Sequence, residues 1–181
     1  MKKLSVSIIP SFVCKTNCRY CYLGNLRQDA TTVPLHIIKQ RLQQLIDHGY
    51  CCDTISIYGG EISLLPVEYL DQLFEIAKQY CDRVGISTNG QQQQIFDLCK
   101  KHNVDIAVSL NKERPDYKRN LKLIKQIDCS VGVVVLPSVL NSTAKQFCDF
   151  FDDLNRDVYL FQYYQADKNS EFKFSNQLFT D

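Results

Sequence analysis

The sequence lacks several features that would place it in common functional classes. Its 181 residues carry a formal net charge of +1, so no excess of one sign points to nucleic acid or a membrane surface as a partner. No apolar run approaches the length of a membrane span, and the short run at 4–9 lacks a cleavage site after it. Repeats, low-complexity segments and a domain boundary are also missing. We therefore expect one cytoplasmic domain with an ordinary core.

Cysteine, in contrast, is abundant. The chain has nine cysteines, an odd number, and its length does not require disulfides for folding, which argues against a secreted disulfide scaffold. Cys14, Cys18 and Cys21 fall within eight residues of each other, directly after an apolar run. Three thiols can bind three irons of an iron–sulfur cube and leave the fourth iron without a protein ligand. An open coordination position of this kind is typical of a catalytic rather than a structural metal site.

Two other interpretations of these three cysteines stay open. They could pack as one face of a helix, although Pro10, Asn17 and Gly24 disfavour a helix there. They could hold structural zinc, which needs four ligands. A fourth ligand is hard to supply, because the three histidines lie in or just after predicted helical segments, well away from the cysteines. Cys51 and Cys52 precede the second predicted strand, so they belong at the opposite end of the sheet.

Short apolar runs alternate with segments of helical periodicity along the whole chain. The predicted strands are 4–9, 54–58, 83–87, 105–110, 131–136 and 157–163, and the predicted helices are 34–48, 66–80, 95–99, 121–127 and 144–154. This alternation indicates βαβ units, a parallel sheet and right-handed crossovers. Six strands are too few for the closed eight-stranded barrel. An open doubly wound sheet or an incomplete barrel of six βα units remains.

Unusual residues follow the carboxyl end of each predicted strand, where parallel α/β sheets gather their functional groups. In chain order they are Cys14, Cys18 and Cys21, then Gly59-Gly60-Glu61, residues 87–90, Ser109 with Asn111, Pro137-Ser138, and residues 163–165. Glycines let a ligand approach the backbone closely, and a glutamate can accept from an ammonium group. An α-amino acid that chelates the open iron would bring such an ammonium to Glu61.

With these residues the chain resembles the radical S-adenosylmethionine (radical SAM) superfamily. Cys14-x3-Cys18-x2-Cys21 is similar to its cluster motif, with Tyr20 in the aromatic position, and Gly59-Gly60-Glu61 looks like its methionine-binding motif. The resemblance covers about residues 4–164 and implies a partial (β/α)6 barrel of the radical SAM type with mostly parallel strands. Residues 1–164 would form the radical SAM core, and 165–181 a short C-terminal extension or the truncated end of the core.

The resemblance also implies two cofactors, a [4Fe–4S] cluster held by Cys14, Cys18 and Cys21, and SAM. The implied SAM-binding residues are Tyr20, Gly59, Gly60, Glu61, Thr88, Ser109, Arg119 and Leu136. Glu61 would bind the methionyl ammonium, assisted by the backbone of the two glycines, and Thr88 would line the same wall. Ser109 would bind the ribose. Arg119 would bind the methionyl carboxylate, unless it is only a solvated helix charge. Leu136 and the backbone near Tyr20 would flank the adenine.

The implied activity is reductive cleavage of SAM at the cluster to a 5′-deoxyadenosyl radical, which abstracts hydrogen from a substrate, with no catalytic protein group in the first step. The electron would come from a flavodoxin- or ferredoxin-type donor. The substrate class stays open between a peptide or protein and a nucleotide-like small molecule. A cluster of basic residues slightly favours an anionic substrate. The cluster consists of Lys112, Arg114, Lys118 and Arg119. The alternative is a non-catalytic barrel whose metal or iron–sulfur loop serves partner binding. For the other six cysteines we expect packing roles.

Overall fold

The structure, a computed structural model, describes residues 2–163 and is built on a six-stranded sheet. The strands are β1 (Lys2–Ile8), β2 (Tyr50–Ile57), β3 (Val84–Thr88), β4 (Asp105–Ser109), β5 (Ser130–Val134) and β6 (Val158–Phe161). Their spatial order follows the chain, and every neighbouring pair is parallel. Among the described residues β1 and β6 each have one strand neighbour, so the barrel is not closed. The predicted partial (β/α)6 barrel is confirmed, whereas residue 164 and the expected extension 165–181 lie outside the described residues.

Within residues 2–163, six α-helices connect or follow these strands. They are α1 (Leu35–Asp47), α2 (Val67–Tyr80), α3 (Gln94–His102), α4 (Tyr117–Ile124), α5 (Pro137–Leu140) and α6 (Ala144–Asp152). Two short 3-10 helices cover Gly24–Gln28 and Ile62–Leu64. A capping box starts α6, since Thr143 Oγ1 accepts from Gln146 N at 3.2 Å and the Gln146 side chain accepts from Thr143 N at 3.0 Å. Within residues 2–163 no helix has the length and apolar character needed to cross a membrane.

Helix α4 differs most from its prediction, because it covers Tyr117–Ile124 rather than 121–127. Its first turn carries a core-facing amide: Asn120 is fully buried and its Nδ2 donates to Ser109 O at 2.8 Å. Hydrophobic periodicity cannot reveal a helix whose buried position is polar. The single-turn α5 was not predicted, and β6 is shorter than the predicted 157–163.

One face of the sheet packs against the helices and forms the core. Its strand residues include Ile55, Ile57, Val84, Ile86, Val108, Val131 and Val133. Leu73 and Phe74 of α2 and Ile124 of α4 are fully buried against them.

All nine cysteines are free thiols. Cys81, Cys99 and Cys129 are buried, as expected of packing residues. Cys148 is exposed, which contradicts a packing role for that residue.

The opposite face, called the inner face below, carries mostly small side chains. It consists of the alternate strand residues, among them Ser5, Ser7, Ser56, Gly85, Ser87, Ala107, Ser109, Ser130, Gly132, Val134, Tyr159 and Phe161. Ser5, Ser7 and Ser56 are exposed. Ile55 and Ile57, which precede and follow Ser56 on β2, are buried on the other face. Closed barrels fill their interior with bulky branched side chains. Here the small residues leave room over the sheet for ligands.

Candidate metal and cofactor site

The cysteine loop connects β1 to α1 and is held by its own backbone. Val33 N donates to Pro10 O at 2.8 Å, and Cys14 N donates to Arg27 O at 2.9 Å. The segment from Cys14 to Cys21 is not helical, so the packing of these three cysteines on one helical face is wrong. All three thiols are partly exposed, which leaves them accessible to a metal group.

The pKa values of Cys14 and Cys18 are both affected by the neighbouring thiols of the loop. Burial raises the pKa of Cys14, and the Glu61 carboxylate and the Cys21 thiol raise it further. Burial raises the pKa of Cys18 to about 11, although Arg114 partly offsets it, and both other thiols contribute to the increase. The described residues contain no three His, Cys, Asp or Glu side chains already arranged to hold a metal ion. The loop therefore gathers three soft donors without fixing their final geometry, and this donor set suits an iron–sulfur cluster.

Gly59 and Gly60 bring the segment after β2 against the cysteine loop. Gly60 N donates to Ser11 O at 3.1 Å, and Glu61 N donates to Val13 O at 2.7 Å. A Cβ at Gly60 would lie 2.2 Å from Val13 O, and one at Gly59, where φ is +149°, would lie 2.4 Å from Ser11 O. The glycines were expected to admit a ligand, but it is the loop backbone that approaches them. The Gly60 N–H is thereby used within the protein.

Glu61 is a buried carboxylate, 3% exposed, that is surrounded by neutral donors. Its Oε1 accepts from Ser63 N at 3.1 Å and from Thr88 Oγ1, and its Oε2 accepts from Asn89 N at 2.6 Å. No Lys or Arg side chain among residues 2–163 forms an ion pair with it. A carboxylate offers about four acceptor positions, and buried charges are normally paired. One acceptor position and an unbalanced negative charge therefore remain for an ammonium group.

The turn after β3 ties Glu61 to the cysteine loop. Asn89 Nδ2 donates to Thr16 Oγ1 at 2.6 Å, and Gln91 Nε2 donates to the same oxygen at 2.9 Å. Thr16 and Asn89 are both buried. Thr16 was missed in the sequence, although a hydroxyl residue between two cysteines of a motif was a usable signal. The structure thus brings Cys14, Glu61 and Thr88 to one place.

Arg119 also reaches this edge of the sheet. Its Nη2 lies within hydrogen-bond distance of Asn89 O at 2.9 Å, Asn120 Oδ1 at 3.1 Å and Asp116 Oδ2 at 3.2 Å. Its side chain is 47% exposed, so part of the guanidinium is open to a ligand. Asp116 was missed in the sequence, where its only signal was that it is one of two acids, with Glu113, among four basic residues.

The second wall of the site is apolar. Tyr20, Leu136 and Tyr163 form a buried cluster with Cys18 and Val134 packed against it. The structure therefore joins Tyr20 and Leu136, of which Leu136 is fully buried, and their contact with adenine stays a prediction. Ser109 lies nearby at the end of β4, paired with Gly132 of β5.

Asn111 fastens this wall to the sheet. Its Oδ1 accepts from Tyr20 Oη at 3.3 Å and from Val134 N at 3.1 Å, while its Nδ2 donates to Val134 O at 2.8 Å. Burial raises the pKa of the Tyr20 phenol, and the Arg114 guanidinium only partly offsets this. Arg114 forms an ion pair with Asp116 at 2.8 Å, and both side chains are less than 10% exposed. The buried guanidinium of Arg114, which Asp116 partly neutralises, therefore lies close enough to Tyr20 and Cys18 to affect the pKa of both side chains.

Comparisons with known proteins identify a family and solved structures of the same fold. The family model described as the radical SAM superfamily matches residues 8–129. Three solved structures share the fold. SuiB from Streptococcus suis bound to S-adenosylmethionine is 22% identical over 96% of this chain and 44% of that chain, with a TM-score of 0.69. Native anSMEcpe with bound AdoMet and Cp18Cys peptide is 14% identical over 98% and 56%, with a TM-score of 0.73. HydG, a maturase of the [FeFe]-hydrogenase, is 15% identical over 98% and 47%, with a TM-score of 0.71.

The chain spans about half the length of these solved proteins. At these identities the likeness concerns the fold. A comparison with curated proteins gave no match.

Proposed function

Because the chain belongs to the radical SAM superfamily, we propose that it modifies a peptide by radical chemistry at a [4Fe–4S] cluster held by Cys14, Cys18 and Cys21. The enzyme class and the two cofactors, the cluster and SAM, follow from the family. The assignment of ligands and the choice of substrate are our proposal. When bound, the cofactor pair supplies one-electron chemistry that cleaves SAM and removes hydrogen from a substrate.

The buried carboxylate of Glu61 is the observation that carries the SAM assignment. Three neutral donors hydrogen-bond to it at 3% exposure. The methionyl ammonium would fill its remaining acceptor position and balance its charge. Asn89 joins Glu61 to the cysteine loop, since its N donates to Glu61 Oε2 at 2.6 Å and its Nδ2 donates to Thr16 Oγ1, two residues from Cys14, at 2.6 Å. An ammonium at Glu61 would therefore hold the SAM amino group beside the cluster ligands.

The other predicted contacts have compatible positions. The exposed part of the Arg119 guanidinium would bind the methionyl carboxylate, with the carbonyls of Gly59 and Gly60 near the ammonium. Tyr20 and Leu136 would face the adenine as parts of one buried cluster, and Ser109 would bind the ribose from the end of β4. In this arrangement the protein orients SAM and excludes water, and a reduced flavodoxin- or ferredoxin-type partner supplies the electron.

Two observations favour a peptide over an anionic small molecule. The first is the solved neighbour with a bound peptide. The second concerns the basic cluster predicted beside the site. Arg114 and Arg119 both pair with Asp116, so two of its four cations are partly neutralised. The open inner face, lined by small and hydroxyl side chains, offers room for an extended chain.

The cofactor assignment is tested by anaerobic reconstitution followed by measurement of iron, sulfide and 5′-deoxyadenosine after addition of dithionite and SAM. Cys18→Ala should lose the cluster, whereas Cys148→Ala, at an exposed position on α6, should keep it. Glu61→Gln should keep the cluster but bind SAM at least about tenfold more weakly, with Glu75→Gln on the exposed side of α2 as control. A preparation that holds zinc and does not bind SAM would instead support the non-catalytic barrel.

The substrate class needs a separate measurement. A synthetic peptide library is incubated with the reconstituted protein, SAM and reduced flavodoxin, and the peptides are analysed by mass spectrometry. We expect a mass change in some peptides that requires both SAM and Cys18. Cleavage of SAM with no altered peptide would leave the cofactor assignment intact and contradict the peptide assignment.

A further inference from the structure

The inner face of the sheet changes character at β6, its last strand. Tyr159 and Phe161 lie on this face and remain 55% and 47% exposed, respectively. Building on the peptide substrate proposed above, we propose that these two residues form an apolar subsite for an aromatic or large aliphatic side chain of that substrate, close to the residue that loses hydrogen. The subsite would then determine which peptides the enzyme accepts.

The register of β5 and β6 gives the orientation of the two rings. Gly132 of β5 pairs with Tyr159, and Val134 pairs with Phe161. Partners in a parallel pair lie on the same face of the sheet. A Cβ on Gly132 would lie 3.0 Å from Phe161 Cε2, so the absence of a side chain there lets the Phe161 ring rest on β5. One side of the ring is packed, and about half of its surface is still available to a ligand.

The subsite is continuous with the candidate SAM site. Val134, the partner of Phe161, packs against the cluster of Tyr20, Leu136 and Tyr163. Tyr163 lies two residues beyond Phe161, a distance of roughly 7 Å along an extended chain. A side chain bound at Phe161 would therefore sit beside the wall assigned to adenine. Its neighbouring residues in the peptide would be held near the reacting end of SAM.

The composition of the rest of the inner face argues for a specific use of β6. Its residues on β1 to β4 are mostly serine, glycine and alanine, and the opposite edge strand carries Lys2, Lys3, Ser5 and Ser7. Edge strands are commonly protected by charge in this way. Exposed aromatic residues at the other edge indicate a binding surface. An extended peptide over this face meets small polar side chains except at β6, where an apolar side chain has its place.

Leu160 provides a matched control within the same strand. It is 55% exposed, like Tyr159, but pairs with Val133 on the helix-facing side of the sheet. A substrate on the inner face would touch Tyr159 and Phe161 and would not touch Leu160. A second copy of the chain pairing along the β6 edge would use all three residues.

The test uses the reconstituted chain with SAM and fluorescein-labelled nonapeptides of alternating Gly and Ser with Phe, Leu, Ala or Asp at the centre. Binding is measured by fluorescence anisotropy. We expect the Phe and Leu peptides to bind about tenfold more tightly than the Ala peptide. Tyr159→Ala and Phe161→Ala should reduce this preference to below about threefold, and Leu160→Ala should not change it. Phe161→Leu, which keeps an apolar side chain on Gly132, should preserve preference for Leu and verifies that the fold tolerates a change there.

Several results would overturn the subsite. Equal losses in the Leu160→Ala and Phe161→Ala variants would contradict it. So would a dimer, seen by analytical ultracentrifugation, that all three alanine variants dissociate. Binding or modification of peptides regardless of the central residue would refute the subsite alone. If no peptide binds or reacts while SAM is cleaved, the peptide assignment itself fails, and the subsite fails with it.

Discussion

Replacing Gly60 with alanine tests whether close backbone contact between the Gly-Gly-Glu segment and the cysteine loop holds the site together. A Cβ at this position would lie 2.2 Å from Val13 O and 2.3 Å from Phe12 O, whereas real Cβ contacts essentially never fall below 3.0 Å. Both clashing atoms belong to the backbone, so no side-chain rotation relieves the clash. The two segments must separate by at least 0.8 Å, the difference between 3.0 Å and 2.2 Å.

This separation weakens the two hydrogen bonds that join the segments, Gly60 N to Ser11 O at 3.1 Å and Glu61 N to Val13 O at 2.7 Å. Each backbone hydrogen bond contributes roughly 0.5–1.5 kcal/mol, and overpacking costs about 1–3 kcal/mol. We expect Gly60→Ala to lower the free energy of unfolding by about 2–6 kcal/mol. It should also weaken SAM binding, because Glu61 moves away from Cys14.

Urea unfolding followed by circular dichroism measures the first effect without any cofactor, and calorimetry with SAM on the reconstituted protein measures the second. Gly85→Ala on β3 is the matched control, since the nearest atom to its Cβ would be Asp105 O at an ordinary 3.6 Å. The control should stay within about 1 kcal/mol of the wild type. If the two variants unfold at the same urea concentration and bind SAM equally well, the contact at Gly60 does not organise the site.

Three further predictions concern the side chains around the site. Thr88→Val removes a donor to Glu61 and should cost about 1.5–3 kcal/mol in urea unfolding and weaken SAM binding; unchanged values would contradict its role. Arg114→Met leaves the buried Asp116 without its close partner and should cost about 3–5 kcal/mol, whereas the double variant with Asp116→Leu should recover most of this loss. If the double variant does not recover stability, the loss in Arg114→Met comes from packing and not from the unpaired charge of Asp116. Asn111→Ala leaves the end of β5 with unpaired backbone groups and should cost about 1–3 kcal/mol, with unchanged thermal unfolding as the refuting result.

The position of the candidate site could be predicted from the sequence, because a parallel sheet restricts where the loops after its strands can meet. When strands alternate with helices, all carboxyl ends meet at one edge. Cys14 and Glu61 follow β1 and β2, and Thr88 ends β3, so their meeting could be predicted from strand assignment alone. The partial barrel of parallel strands is confirmed by the structure, and the three thiols lie in one loop as expected.

The side chains that support the site could not be predicted in the same way. Thr16 meets Asn89 across 73 residues of sequence, and Asn120 is a buried amide inside a helix. Such residues look like ordinary polar surface positions, because only the tertiary fold decides that they are buried. The same cause shifted the predicted start of α4. The close approach at Gly60 was hidden for a related reason, since glycines after a strand suggest a turn or a ligand site and do not reveal a neighbouring backbone.

The two faces of the sheet also differ in how much a substitution costs in stability. Ile55, Ile57 and Phe74 on the helix-facing side supply the buried apolar area that stabilises the fold, and substitutions there are costly. Small inner-face residues such as Ser56 and Ser87 bury little and contribute little to folding. Mutations on that face can therefore accumulate without unfolding the protein. The same backbone and cofactor site can acquire new substrate preferences one residue at a time, while selection for stability acts on the other side of the sheet.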